Sequence, residues 1–141
     1  MALSLMIRPT VSCPSWMVQR LEEAGGTVSF RKYMEWILYE TAHGAYSDGS
    51  IRIGRNGDFV TSPSLGSDFA ELLVMQVEDW LIQLREIFGE EQVLSLVDVG
   101  PGEGNLAYDL AIALQKKSPN LCSGLELILV DISNSMIERQ K

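Results

Sequence analysis

The residues best suited to chemistry lie in a glycine-rich turn in the last third of the chain. The turn reads Gly-Pro-Gly-Glu-Gly, with glycines at positions 100, 102 and 104. It follows the nearly all-apolar segment Val93–Val99, which is typical of a parallel strand buried on both faces. A helix is predicted directly after it, over Asn105–Lys116. Because glycines at such a turn let a ligand approach the backbone closely, the spacing predicts a cofactor site.

Two carboxylates flank this turn and indicate which cofactor it would bind. Asp98 precedes the first glycine by two residues, and Asp131 ends a second apolar segment, Leu125–Val130. A carboxylate beside the turn would repel a pyrophosphate, but it would attract a cationic amino-acid group. S-Adenosyl-L-methionine carries an ammonium and a sulfonium and has no phosphate. Asp131 would accept hydrogen bonds from its ribose hydroxyls.

Two alternatives remain open for these residues. An NAD site is disfavoured because the spacing is GxGxG rather than GxGxxG, and because Asp131 follows Gly100 by 31 residues instead of the usual interval of about 20. The other alternative is that both aspartates are ordinary solvated strand ends.

The rest of the chain is predicted to be helical around one long loop. Helices are expected over Ser15–Ala24, after a Ser29 cap, and over Asp68–Phe88. The loop spans residues 42–67 and contains five glycines, and a small hairpin around Asn56-Gly57 is expected in it. Its strands would be Ile51–Ile53 and Phe59–Thr61.

Two helix details are also predicted. The apolar stripe of the long helix is expected to comprise Leu73, Val77, Trp80, Leu81, Leu84 and Phe88, as a core-facing surface without a ligand role. Ser135 and Glu138 have capping-box spacing for a last helix.

Composition and charge exclude several classes of function. Nineteen acidic and eleven basic side chains give a net charge of −8, which disfavours nucleic-acid binding. The two cysteines, Cys13 and Cys122, lack metal-site spacing and are expected to be reduced thiols, with no metal bound. The first ten residues, with Arg8 alone as a basic side chain, do not resemble a targeting peptide, and no run is long enough for membrane insertion. We therefore expect a soluble cytoplasmic protein, mitochondrial only if it is eukaryotic.

Several stretches of the chain resemble a known family. The stretch VDVGPGEGNLAYDL (97–110) resembles the first S-adenosylmethionine motif of class I methyltransferases. The stretches SFRKYMEWILYETAHGAY (29–46), IGRNGDFVTSPSLGSDFAELL (53–73) and VDISNSMIERQ (130–140) are similar to MidA-like methyltransferases. That family includes a mitochondrial protein-arginine methyltransferase that assists complex I assembly. The resemblance covers Thr27 to Gln140, and it departs from the family pattern at Ala45 and Ser64.

The resemblance implies a set of cofactor-binding residues and a substrate class. Around the glycine turn and the second strand they are Asp98, Gly100, Pro101, Gly102, Gly104, Asn105 and Asp131. In the loop they are Gly57, Asp58, Phe59, Thr61, Ser62 and Pro63, which would fold over the cofactor. The implied partner is a protein substrate, with an arginine side chain as the methyl acceptor.

No catalytic residue stands out in the sequence. Asp58 and Glu71 are weak candidates because a guanidinium substrate would need carboxylates around it. Glu71 is also explained as a first-turn glutamate that the helix dipole favours. His43, the one histidine, is interpreted as a turn residue.

These observations predict an α/β fold that this chain does not complete. Residues 1–91 would form a helical region with the glycine-rich loop and hairpin, and residues 92–141 the first strand-helix-strand unit of a Rossmann-like class I methyltransferase sheet. A seven-stranded sheet of this kind needs roughly 200 residues or more, so the isolated chain is expected to be inactive and to expose apolar sheet faces. The competing hypothesis is a non-catalytic assembly or binding module with a methyltransferase-like front.

Overall fold

The computed structural model describes residues 12–141. The N-terminal segment that was examined for a targeting peptide, including Arg8, lies outside the described residues. In the described part of the chain, no helix has the length and apolar character needed to cross a membrane.

Two helices open the described chain close to the predicted positions. Helix α1 spans Ser15–Glu23, and Gly25 follows it with a positive φ that side chains rarely adopt. Helix α2 spans Phe30–Tyr39, and the Ser29 hydroxyl caps it by accepting a hydrogen bond from the Lys32 amide at 3.2 Å. The predicted cap is confirmed.

Helix α3 spans Asp68–Phe88, as predicted, but it buries a different face. Trp80 and Phe88 belong to the predicted stripe, yet they are 52% and 61% exposed. The buried residues are Ala70, Val74, Val77, Leu81 and Arg85. The small side chains near the start of this face allow α3 to lie close to the next helix, whereas the predicted stripe favoured the bulkiest apolar residues.

The C-terminal third forms the predicted strand-helix-strand unit. Strand β1 (Leu94–Val99) pairs in parallel with strand β2 (Leu125–Val130), and helix α4 (Asn105–Lys117) connects them. A short 3-10 turn, Pro119–Cys122, joins α4 to β2. Parallel pairing brings the carboxyl ends of both strands to one edge of the sheet, where the two aspartates stand.

Only one face of this sheet is covered. Alternate strand residues, such as Leu94 and Leu96, face α3 and α4 and join the main apolar core. The opposite face carries Val97, Val99 and their partners Ile128 and Val130, which are all exposed.

Two local features differ from the sequence prediction. The predicted hairpin is reduced to one backbone bridge between Ile53 and Phe59. Asp58 replaces the strand ladder, because its amide donates to the Arg52 carbonyl and its carboxylate accepts from the Arg52 amide.

The last helix, α5 (Asn134–Arg139), is capped by Ser133 and not by Ser135. The Ser133 hydroxyl accepts from the Met136 amide, while the Ser135 hydroxyl donates to the carbonyl of Tyr46. Because Ser135 is used in this long-range contact, the predicted capping box does not form.

Candidate functional site

Two adjoining clefts open at the carboxyl ends of β1 and β2. The main cleft has a volume of about 410 Å³ and lies between the glycine turn, the start of α5 and the glycine-rich loop. The side cleft, of about 190 Å³, lies on the other side of the turn, against the 3-10 turn Ser62–Ser64. Thr61, Gly100 and Gly102 line both clefts.

Asp98 borders the side cleft with a carboxylate oxygen that has no partner. Its Oδ2 atom is buried and makes no hydrogen bond within residues 12–141. Burial raises the pKa of this carboxyl above its ordinary value. A buried carboxylate that lacks a partner is costly, so a cation placed beside Asp98 would be strongly favoured.

The glycines of the turn have different surroundings. Gly100 and Gly102 have positive φ angles of 72° and 59°, and no atom lies within 4 Å of a Cβ placed on Gly100. The backbone at Gly100 is therefore open to a ligand. Gly104 is buried at the start of α4 and faces Leu129, so it lines neither cleft and serves the packing of the turn. Pro101 and Asn105 line the side cleft.

Asp131 lines the main cleft with its carboxylate held in place. Oδ1 accepts from the Ser133 amide at 2.9 Å, and Oδ2 accepts from Gln140 Nε2 at 3.3 Å. The same Gln140 nitrogen donates to the carbonyl of Gly102 at 2.8 Å. Each carboxylate oxygen keeps a free lone pair, so Asp131 can still accept ribose hydroxyls. Gln140 was not identified from the sequence, in which nothing links it to Gly102.

The loop residues predicted to cover the site divide into two groups. Phe59 and Thr61 line the main cleft, and Pro63 lines the side cleft. Gly57, Asp58 and Ser62 line neither cleft. A Cβ on Gly57 would lie 2.2 Å from the Arg52 carbonyl oxygen, so this glycine permits the tight loop that presents Phe59.

A pair of tyrosines forms a wall that the sequence prediction missed. Tyr39 and Tyr46 stack with ring centroids 5.6 Å apart and line the main cleft with Phe59. The available signal was the position of Tyr46 in the Gly-Ala-Tyr stretch of the family pattern. Flat apolar walls of this kind suit an aromatic base.

The structure separates the catalytic candidates from the glycine turn. Asp58 is bound to the Arg52 backbone. Glu71 accepts from Ser67 and lines a different cleft, between α3 and α4. His43 stacks on Trp16, with 5.0 Å between the ring centroids. The roles of Asp58 and Glu71 stay predictions.

Comparison with known proteins gives one family. A family model described as "Putative S-adenosyl-L-methionine-dependent methyltransferase" matches residues 77–141. The chain is 33% identical over 119 residues to the mitochondrial protein arginine methyltransferase NDUFAF7 of Danio rerio, and 32% identical over 116 residues to that of Homo sapiens. These alignments cover 83% and 82% of this chain, but only 27% and 25% of the relatives.

A solved structure shows the same fold. It is a protein from Burkholderia thailandensis bound to S-adenosyl-homocysteine, 31% identical, with a TM-score of 0.69 over 89% of this chain. The alignment covers 31% of that protein, so this chain spans about a quarter to a third of the length of the proteins it matches.

The comparisons also correct the expected location. The prediction of a cytoplasmic protein is wrong, because the curated relatives are named mitochondrial. That prediction depended on the first residues of the chain, which carry a poor targeting signal.

Proposed function

Since the chain belongs to the S-adenosyl-L-methionine-dependent methyltransferase family, we propose that it supplies the cofactor cleft of a methyltransferase. The observation that carries this proposal is the unpartnered Asp98 oxygen beside the open backbone of Gly100. A carboxylate of this kind fits the ammonium of the cofactor and would repel a phosphate.

The residues of the two clefts have complementary tasks in this proposal. Asp98 binds the ammonium group, and Gly100 and Gly102 leave room for the methionine part. Asp131, which Gln140 and Ser133 orient, accepts the ribose hydroxyls. The apolar wall of Tyr39, Tyr46 and Phe59 excludes water from the base. Pro101, Asn105, Thr61 and Pro63 shape the side cleft, while Gly57, Gly104, Asp58 and Ser62 fix the backbone that carries these residues.

The chemistry needs positioning more than acid-base groups. When bound, the cofactor supplies a methyl group on a sulfonium, which transfers to an in-line nucleophile. The chain contributes by orienting the cofactor and keeping water out, and such orientation alone lowers a barrier by several kcal/mol, up to about 10 kcal/mol.

The proposed methyl acceptor is a protein arginine side chain. The names of the NDUFAF7 relatives support this substrate class. Asp58 and Glu71 remain the candidate carboxylates for the guanidinium. The test is incubation with cofactor carrying a labelled methyl group and candidate proteins, followed by identification of the labelled side chain. Label on lysine or on no protein would contradict the arginine proposal.

Calorimetric titration with S-adenosyl-homocysteine tests the cofactor site. We expect Asp98→Asn and Asp131→Asn to loosen binding at least about tenfold, because each removes a charged hydrogen-bond acceptor. The matched control is Asp79→Asn on the exposed side of α3, which should bind like the unchanged chain. Absence of binding by the unchanged chain, or identical affinity of Asp98→Asn, would contradict the proposal.

A further inference from the structure

The glycine-rich loop reaches the main cleft because it is tied to α5. The carbonyl of Tyr46 accepts hydrogen bonds from two serine hydroxyls, Ser133 at 2.6 Å and Ser135 at 2.7 Å. These serines lie 87 and 89 residues further along the chain, so the contact closes the loop across the strand ends.

Arg139 makes a second tie a few residues further along the loop. Its guanidinium donates to the carbonyl of Ile51 at 2.9 Å and to the carbonyl of Gly49. It also lies 3.5 Å from the carboxylate of Glu103, inside the glycine turn. One side chain therefore connects the loop, α5 and the turn that borders both clefts.

Close packing at Gly49 supports these contacts. Gly49 has a φ of 72°, and a Cβ placed on it would lie 3.4 Å from Arg139 Nη2 and 3.6 Å from the Ser135 side chain. The backbone of the loop thus fits directly against the two side chains that bind it.

The ties act on residues of the cleft without lining it. Tyr46 and Ile53, at either end of the tied segment, line the main cleft, whereas Ser135 and Arg139 do not. An untied loop would have to be ordered during binding, and that loss of entropy weakens affinity. We propose that Ser135 and Arg139 are positioning residues that hold the loop as a wall of the cleft and so raise the affinity for the cofactor. The affinity part of this inference rests on the proposed function.

Single substitutions on α5 separate this role from a general loss of structure. Ser135→Ala removes one hydroxyl, Ser135→Thr keeps it, and Arg139→Met removes the guanidinium. Ser133 is left unchanged because it also caps α5. The matched control is Arg55→Met, an exposed arginine of the same loop that makes no hydrogen bond or ion pair within residues 12–141.

Two measurements are made on each variant: hydrogen exchange of the loop amides without ligand, and the Kd for S-adenosyl-homocysteine. We expect Ser135→Ala and Arg139→Met to speed exchange over residues 46–59 by roughly tenfold, with unchanged exchange in β1 and β2. We expect their Kd to rise roughly five- to tenfold, as for the loss of one hydrogen bond or more. Ser135→Thr and Arg55→Met should behave like the unchanged chain.

The outcomes distinguish the two proposals. Unchanged loop exchange in both α5 variants overturns the positioning inference, whatever the ligand does. Faster exchange with an unchanged Kd overturns its affinity part. If the unchanged chain binds no S-adenosyl-homocysteine, the proposed function and the affinity part both fail, while faster loop exchange would still support the ties.

Discussion

Asp98 combines an unfavourable position for a folded chain with a favourable one for binding a cation. Its place before the glycine turn was enough to predict a charge preference from the sequence. The sequence could not show that Oδ2 is buried without a partner, because that depends on the packing of the side cleft. Likewise, Gln140 and Tyr46 enter the site only through tertiary contacts with residues far away in the chain.

The stability of the chain should therefore rise when Asp98 is neutralised. Burial raises the pKa of Asp98 above its ordinary 3.8, so the folded state holds this proton more tightly than the unfolded state. Its contribution falls as pH rises from the ordinary range through the raised pKa, and stays low above it. We expect Asp98→Asn to unfold at a higher temperature than the unchanged chain at pH 7, and the two to converge at acidic pH.

Thermal unfolding measured from about pH 4 to about pH 8 checks this expectation. Asp79→Asn serves as the control, since its carboxylate is exposed, and it should follow the unchanged chain at every pH. A lower unfolding temperature for Asp98→Asn at neutral pH would mean that its carboxylate stabilises the fold.

At the scale of elements, periodicity and end signals were strong predictors. The bounds of α3 and β2 are confirmed as predicted, because Gly89 and Asp131 end these elements clearly. The buried face of α3 was wrong, since apolar residues cover more than one side of it and only the position of α4 decides which side is buried. The hairpin was also wrong, because the side chain of Asp58 replaces a strand ladder.

Arg85 shows why hydrophobicity alone did not identify that face. Its side chain is buried on α3, and its guanidinium donates to the carbonyls of Glu90, Gln92 and Ser123. These carbonyls belong to the segments that lead into β1 and β2. A buried arginine of this kind joins three segments and is a polar part of the core.

Replacing Arg85 should destabilise the chain strongly. Arg85→Met keeps most of the apolar stem but leaves three carbonyls without their donor, and we expect a loss of about 2–4 kcal/mol in the free energy of unfolding. Urea unfolding followed by circular dichroism measures the loss. Arg31→Met, at an exposed position of α2, should change the free energy by less than about 0.5 kcal/mol. A similarly small change for Arg85→Met would show that water replaces the guanidinium.

For the whole molecule, the order of elements and the glycine turn sufficed to predict the family and the parallel strand pair. The chain spans about a quarter of the length of its curated relatives, and its sheet has two strands with one face uncovered. Val97, Val99, Ile128 and Val130 make that face a continuous apolar surface, with Ile132 beside it 76% exposed. Contiguous apolar surface of this kind favours association with another apolar surface.

We therefore expect the isolated chain to bind an apolar fluorescent dye strongly and to self-associate as its concentration rises. The double variant Val97→Thr with Ile128→Thr should reduce both effects, because the two residues are paired neighbours at the centre of the uncovered face. Threonine keeps the β-branched shape that strands favour, so the pairing of β1 and β2 should persist. Leu72→Thr on α3 is the control, since Leu72 is 76% exposed but lies off the sheet. Sedimentation and dye titration give the result, and a monomer without dye binding, or equal effects of the two variants, would mean that the sheet face does not drive association.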